Sequence, residues 1–423
     1  MAEVITDLHI HSKYARACSK ELNPANLATW ADRKGIHVLG TGDFTHPTWL
    51  AELKAALVED QPGLFKLSSG DHACRFMLTT EVSCIYKRGG KTRRVHHLVF
   101  APSFAVVDAL VDRLEARGCN LRADGRPIIG LDSEELLKLV LDASPECLLV
   151  PAHAWTPWFA VFGSMSGFDA LEECFGSMAP HVTAIETGLS SDPAMNWMVR
   201  TLDDILLISN SDAHSLGNLG REANVFSIEP DKLSYGEIIR ILREKDREKF
   251  LYTIEFFPEE GMYHFDGHRA CKLRWHPSET KKQKGLCTVC KKPVTVGVLS
   301  RVNDLADRAE GERPPNIVPY RSVVPLAELI AQAMGRGVAT KGVQAAYLAL
   351  TDKIPEFHAL LRTSFDELAT ATSPEVVEAV RRMRLGKVSV EPGFDGQYGT
   401  VHMFSESERK KKKQESLLQG IKI

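Results

Sequence analysis

The sequence predicts an α/β protein built on a (β/α) barrel, and three observations carry that reading. Seven short apolar runs, at 4–9, 37–41, 76–82, 95–100, 147–152, 182–186 and 205–209, have the length and composition of buried strands. Helix-like segments separate most of them, which is the rhythm of a barrel or an open parallel sheet. Acid and imidazole side chains recur where the runs end: His9, His11, Asp43, Glu81, His97, His153, Asp212 and His214. Strand ends of a barrel share one rim, so that recurrence gathers the eight side chains in one place.

The elements follow in order. Val4 to Leu8 opens the chain as a strand and ends in His9-Ile10-His11. Asn23-Pro24 to Lys34-Gly35 has a polar cap, proline at the first helical position and a glycine stop. Pro47 to Val58 and Ser103 to Arg117 read as helices in the same way. Lys87 to Arg94 reads as a hairpin loop with five positive and no negative side chains. Near Phe256-Phe257-Pro258 the character changes to a Cys-, His- and Lys-rich stretch. Residues 301–312 are polar and helical in pattern. After Arg313-Pro314-Pro315 the i, i+3, i+4 spacing of Leu326, Leu329, Ile330, Ala333 and Met334 predicts a buried helix face, and 366–384 repeats it from Ser373-Pro374. The expected organisation is a barrel over 1–255, a small module over 256–304, a mainly helical region over 305–404 and a basic, disordered tail over 405–423.

Composition excludes several classes. The chain is 423 residues long, 44% hydrophobic and 25% charged, the profile of a soluble globular protein. No apolar run approaches the ~20 residues of a membrane span, and the N-terminus has no signal-peptide pattern. Nine cysteines, most of them single in apolar stretches, indicate a reduced, cytoplasmic setting. The net charge of −3 means that any nucleic acid must be held by local patches. Nothing reads as a dimer interface, so a monomer is the default.

The strand-end side chains point to metal chemistry. His-x-His on a strand turns both rings to one face. Paired imidazoles suit first-row divalent ions, and Asp212-x-His214 repeats the device. Glu81 is a natural bridge between ions ~3.5–4 Å apart, and such centres acidify water for attack on phosphate esters. His9, His11, Glu81 and Asp212 are the catalytic candidates. His46 and His96 adjoin them as second choices. Mg, Mn or Zn would all suit such a donor set, in two or three sites.

His268-x-x-Cys271 and Cys287-x-x-Cys290 have the spacing of a structural zinc site, with His264 and His276 as alternatives for the imidazole ligand. Eight Lys/Arg against one acid, Glu279, lie between Arg269 and Lys292, among them Lys281 and Lys282. Arg88, Arg93 and Arg94 in the hairpin form a second basic patch, and Arg381-Arg382-Met383-Arg384 a third. Three patches around a metal rim favour a nucleic acid as partner. Trp155, Trp158, Phe159 and Phe162 follow His153 and are candidates for stacking on an unpaired base, with Gly167 allowing close backbone approach.

From His9-x-His11 to Asp212-x-His214 the chain resembles the polymerase and histidinol phosphatase (PHP) superfamily. That resemblance implies a PHP-type distorted (β/α)7 barrel. It also implies that His9, His11 and Asp212 hold one ion, that Glu81 bridges to a second held by His97 and His153, and that Asp43 and His214 serve a third. Tyr14 to Lys20 lacks the further histidine common in that family, and Asp43 stands where many members have His. Four further stretches, Ala152 to Phe159, Ser166 to Asp169, Tyr263 to Cys271 and Gly297 to Val302, are similar to the endonuclease Q family. This second resemblance covers the chain to about residue 404. It implies a DNA repair endonuclease that nicks 5′ of deaminated bases (uracil, hypoxanthine, xanthine) and abasic sites, leaving 3′-hydroxyl and 5′-phosphate ends. Deamination changes one donor to an acceptor, so such an enzyme should extrude the nucleotide to read it. The alternatives are a PHP phosphoesterase or 3′-5′ exonuclease acting on DNA ends or small esters, and a nucleic-acid-binding module with a structural metal. Gln414-x-x-Leu417-Leu418 loosely resembles peptides that dock on sliding clamps.

Overall fold

The computed structural model describes residues 2–409, so the clamp-like peptide at Gln414 lies outside the described residues. Each apolar run becomes a barrel strand. In chain order these are β1 (Ala2–Asp7), β2 (Val38–Gly40), β3 (Arg75–Arg88), β4 (Lys91–Ala101), β5 (Leu148–Pro151), β6 (Ala184–Glu186) and β7 (Leu206–Ile208). β1 pairs with β2 and β2 with β3 in parallel, Thr6 opposite Val38 and Val38 opposite Arg75. β6 and β7 are also parallel. β4 is the distortion, because it runs antiparallel to both β3 and β5. Its reversal follows from Gly89-Gly90, both at positive φ, the two-residue turn that twisted hairpins favour. The ring closes without full ladders: Ala154 N–H reaches the Glu186 carbonyl at 2.9 Å, and Ile10 bridges to Ala213.

Both faces of these strands are buried. Val4, Leu8, Val38, Met77, Leu98, Phe100, Val150, Ala184 and Ile208 fill the barrel interior. The outward residues, among them Phe76, Val95 and Val99, pack under the surrounding helices. The lumen is therefore plugged, and polar chemistry is confined to the rim. The sheet continues past β1 through β8 (Ala223–Ile228) and β9 (Phe250–Glu255), both antiparallel, to β10 (Tyr320–Ser322).

Local signals explain the first helix, Pro24–Lys34. The Asn23 side chain accepts from Asn26 N–H, and Gly35 at φ 79° closes the other end. The next helix stops at Ala56, two residues before the sequence reading, because Leu57–Gln61 turns into a hairpin with Leu64–Leu67. The C-terminal helices Leu326–Met334, Lys341–Thr351 and Pro374–Arg384 pack together, and Lys341–Thr351 and Glu356–Leu361 dock on the first helix. There Trp30 stacks on Tyr347, and Lys34 pairs with Glu356 at 2.7 Å. Glu356 also accepts from Leu326 N–H and Tyr347 O–H, so the buried charges are fully partnered.

Between barrel and helices lies the cysteine-rich module. Asp266–His268 pairs with Leu273–Trp275, and its own core is only Leu273, Cys287 and Val294. Its remaining support comes from far along the chain. The hairpin of Ser389–Glu391 and Thr400–His402 returns to it: Phe265 N–H donates to the Gly393 carbonyl at 3.0 Å, and Asp395 accepts from Arg269 N–H and Thr295 O–H at 2.6 Å each. Phe394 presses so closely on Gly267 that a Cβ there would sit 2.3 Å from its ring. The helical region expected at 305–404 thus contributes its last strands to the module. No helix among the described residues is long and apolar enough to cross a membrane.

Candidate active site

The rim collects two donor groups that share one carboxylate. His9, His11, Glu81 and Asp212 form the first and Glu81, His96 and His153 the second, with the ligand atoms of each within 4.8 Å of one another. Glu81 stands between them. Its Oε1 lies 2.7 Å from His96 Nδ1 and 3.0 Å from His153 Nε2, while Oε2 faces His11 Nε2 at 3.3 Å and His9 Nε2 at 3.7 Å. Asp212 Oδ1 lies 3.1 Å from His11 Nε2 and 3.5 Å from His9 Nε2.

Carboxylates behind the rings fix which nitrogen faces this centre. His9 Nδ1 donates to Glu186 at 3.0 Å, and His11 Nδ1 donates to Asp43 at 2.9 Å. Each ring then turns its Nε2 lone pair toward Glu81 and Asp212. His9 Nε2, His11 Nε2 and Asp212 Oδ1 are buried without a hydrogen-bond partner among the described residues. Three orphaned buried atoms converging on one carboxylate are costly unless a cation satisfies them. The donor set therefore fits a divalent ion. The electrostatics agree. Burial pushes His9 down, but Glu186, Asp212 and Glu81 outweigh it and hold the ring well above its ordinary value. His11 behaves alike, burial being outweighed by Asp43, Asp212 and Glu81. Burial alone would raise Glu81, yet His96, Arg126, His9 and His11 hold it well below the usual carboxylate range. A field that retains protons on two imidazoles also favours a cation among them.

The backbone is strained at the rim. Asp43, His153 and Asp212 all adopt positive φ, at 51°, 29° and 46°, a region that non-glycine residues rarely enter. Gly188 is needed beside them, since a Cβ there would meet the His153 Cβ at 2.5 Å.

The structure reassigns several side chains. His97 faces away from the centre: period two along β4 puts His96, Leu98 and Phe100 inside, and His97 outside against Ser133 at 2.8 Å and Phe175. His96 takes its place. Asp43 spends its oxygens on His11, Ser12 N–H and Ser12 O–H, so it orients a ligand rather than facing an ion. His214 Nδ1–H donates to the Asp212 carbonyl at 2.8 Å, and its ring packs edge-on against that of His11 at 4.7 Å, but it joins neither donor group. No third donor group forms from Asp43 and His214 among the described residues. His46 caps the helix that starts at Pro47. Trp155 and Phe162 are core, 1% and 2% exposed and packed on each other, whereas Trp158 is 37% exposed. Phe159 sits against the His96 ring. Gly167 packs on Gly163 within the loop. Arg88 is engaged by Glu134 and the Cys174 carbonyl, and Arg93 by the Gly167 carbonyl. Lys281 and Lys282 remain on the surface, paired loosely with Asp304 and Glu279. Arg94 is partly exposed.

Two side chains that hold the rim donors escaped sequence reasoning. Glu186 ends an apolar run just as the eight candidates do, so its signal was available. It holds His9, the His153 N–H at 2.8 Å and Asn210 at 2.9 Å. Arg126 sits in an irregular loop and left no pattern. Its guanidinium lies 3.0 Å from Glu81 Oε2. In the module, His268, Cys271, Cys287 and Cys290 converge within 4.8 Å, leaving His264 and His276 aside. Backbone N–H groups of Cys290 and Val289 bring the Cys287 thiol down to about 7, toward the thiolate that zinc binds.

Fold and rim together define a metal-dependent hydrolase. The likeness to endonuclease Q holds across the whole chain. The lesion-specific endonuclease PfuEndoQ of Pyrococcus furiosus superposes with a TM-score of 0.84 at 29% identity, covering 100% of both chains. Endonuclease Q in complex with a 27-mer duplex carrying an abasic lesion at the active site matches equally well, with a TM-score of 0.84 at 29% identity over 97% of this chain and 98% of that one. By sequence, the chain is 27% identical to the uncharacterised protein YqxK of Bacillus subtilis over 95% of its own length and 100% of that protein. It is 32% identical to the uncharacterised protein MJ0043 of Methanocaldococcus jannaschii over 59% of its length, a match that spans only 31% of MJ0043. Residues 325–387 match the MJ0043 C-terminal domain family.

Proposed function

We propose that the protein is a DNA repair endonuclease that nicks the phosphodiester 5′ of deaminated bases and abasic sites, leaving 3′-hydroxyl and 5′-phosphate ends. The observation that carries this reading is Glu81 shared between two donor groups, with three orphaned buried atoms facing it. Its context is an endonuclease Q fold whose relative was captured on an abasic duplex. Divalent ions bound at His9, His11, Glu81 and Asp212, and at Glu81, His96 and His153, would supply the Lewis acidity that acidifies water and neutralises phosphate charge.

The chain's own groups do the rest. Glu186 and Asp43 hold the imidazoles in one tautomer and orientation. Arg126 puts a permanent cation beside Glu81, where negative charge from a phosphodiester would accumulate. Trp158, in the loop that follows His153, offers an exposed ring for an extruded nucleotide or its vacated neighbour. The module carries a structural zinc in this reading, and damaged DNA is the partner.

The test is a nicking assay on end-labelled duplexes bearing one uracil, inosine or abasic site, with and without EDTA. A single EDTA-sensitive nick on the 5′ side of the lesion supports the reading. Stepwise release from a free end would replace it with an exonuclease, and binding without cleavage would reduce the rim to a structural site.

A further inference from the structure

Residues 155–168 follow His153 with neither helix nor strand, held by a few bonds of their own, such as Met165 N–H to the Pro157 carbonyl at 2.9 Å, and by contacts from outside. β4 supplies part of this, Arg94 N–H donating to the Ser166 carbonyl at 3.4 Å and the Ser166 hydroxyl donating to the Arg94 carbonyl at 3.3 Å, and a second part comes from Arg301. Its Nε donates to the Phe162 carbonyl at 2.8 Å and its Nη2 to the Phe168 carbonyl at 2.9 Å, and Asp169 pairs with the same guanidinium. Arg93, from the basic hairpin, adds a bond to the Gly167 carbonyl and lies 4.1 Å over the Phe168 ring.

Arg301 is not a barrel residue. It lies on the helix Val298–Leu305, whose start is fixed by Asp266. That fully buried carboxylate accepts from Gly297 N–H at 2.6 Å and from Ser300 O–H at 2.5 Å. Asp266 shares a three-residue strand with His268, one of the four convergent zinc-type ligands. A continuous path therefore runs from the zinc knuckle through Asp266 and the helix to Arg301 and the loop. At its far end the Phe159 carbonyl accepts the His96 N–H at 3.1 Å, and the Phe159 ring lies 4.7 Å from that of His96. Phe159 is held at φ 61°, a strained conformation that persists only where its surroundings over-determine it. Trp158 meets Tyr263 of the module edge-on at 5.7 Å.

We propose that Arg301 is a positioning residue through which the zinc module sets the pose of Trp158 and Phe159 beside the metal centre. Building on the endonuclease reading, this governs how an opened nucleotide is seated, not how fast an ester is hydrolysed. The planar guanidinium reaches the two carbonyls, six residues apart, with separate N–H groups in fixed geometry, which the single ammonium of lysine reproduces poorly.

The experiment compares the full-length protein with Arg301→Ala and Arg301→Lys in three measurements. These are amide hydrogen exchange over 156–168, kcat and KM on a duplex with one abasic site, and turnover of bis(4-nitrophenyl) phosphate. For Arg301→Ala the loop exchanges faster, KM on the duplex rises about tenfold with kcat within about threefold, and small-diester turnover is unchanged. Arg301→Lys recovers only part of the KM. Unchanged loop exchange in Arg301→Ala overturns the proposal, as does an equal loss on both substrates, which would place Arg301 in the hydrolytic machinery. The exchange measurement needs no DNA. Faster loop exchange in a protein that nicks no damaged duplex would therefore leave the anchoring role standing while removing the endonuclease reading.

Discussion

The barrel rim and the cysteine module both gather metal-binding side chains, and they do so in opposite ways. The rim mixes imidazoles and carboxylates, divides them into two groups around Glu81 and leaves buried lone pairs facing one another. It stands on strained backbone at Asp43, His153 and Asp212. The module offers one closed set of three thiols and an imidazole on short turns, with almost no apolar core beneath it. A closed set of four satisfies tetrahedral zinc and leaves no position for substrate. A shared carboxylate between two incomplete sets leaves room for water and phosphate. The contrast teaches that donor type and saturation, more than the number of ligands, separate a site that works from a site that holds.

The largest expected effect breaks the rim. Asp212→Asn should lower the nicking rate at least ~10³-fold and reduce bound metal measured by plasma emission, with the circular dichroism spectrum unchanged. Full activity at wild-type metal content would remove Asp212 from the centre. A paired test sharpens the choice of strand face. His96→Ala should cost about 10²-fold in rate, while His97→Ala leaves the rate within about threefold and costs ~1–2 kcal/mol of stability through its lost Ser133 bond. The reverse result would turn β4 over.

On the module side, Cys287→Ser should release zinc and expose residues 264–300 to limited proteolysis, while small-diester turnover stays within about threefold. Loss of that turnover would show the module to be part of the hydrolytic centre. The smallest effect lies at the joint between the two regions. Glu260 is buried, its Oε1 unpartnered among the described residues, and burial together with Glu328 and Glu259 pushes it up to about 9 from 4.5. Between those values the folded protein keeps a proton that the unfolded chain has lost. Its contribution is therefore complete below pH ~4.5 and falls away as pH rises toward ~9. Glu260→Gln should flatten that decline, gaining ~1–2 kcal/mol over wild type at pH 8.5 and little at pH 5 in urea unfolding. An unchanged pH slope would mean that Glu260 is ionised in the fold.

Much of this was readable in the sequence, because barrel strands are short, apolar and end in polar side chains. The seven runs, the capped first helix and the convergent His-x-His carry local signals that tertiary packing did not override. The failures have physical causes. Both faces of β4 are apolar, Leu98 and Phe100 inside and Val95 and Val99 outside, so alternation could not tell His96 from His97. Trp155 and Trp158 are alike as residues, and only burial separates a core ring from an exposed one. Arg126 acts from an irregular loop without periodicity. The return of 389–402 to the module is a pairing across more than a hundred residues, which no local pattern records.

That return has a consequence for how the protein comes into being. Domains fold in the order in which they leave the ribosome, and the barrel emerges first with its rim donors complete by Asp212. The module's hairpin must wait for Gly393 and Asp395, and with it wait the helix start at Gly297 and the anchor at Arg301. A nascent chain can thus carry a complete set of rim donors well before the loop beside it is secured. On the proposed reading, vectorial synthesis would set hydrolytic competence early and selectivity late, and chains cut short before the last hairpin would be those with the least discriminating centre.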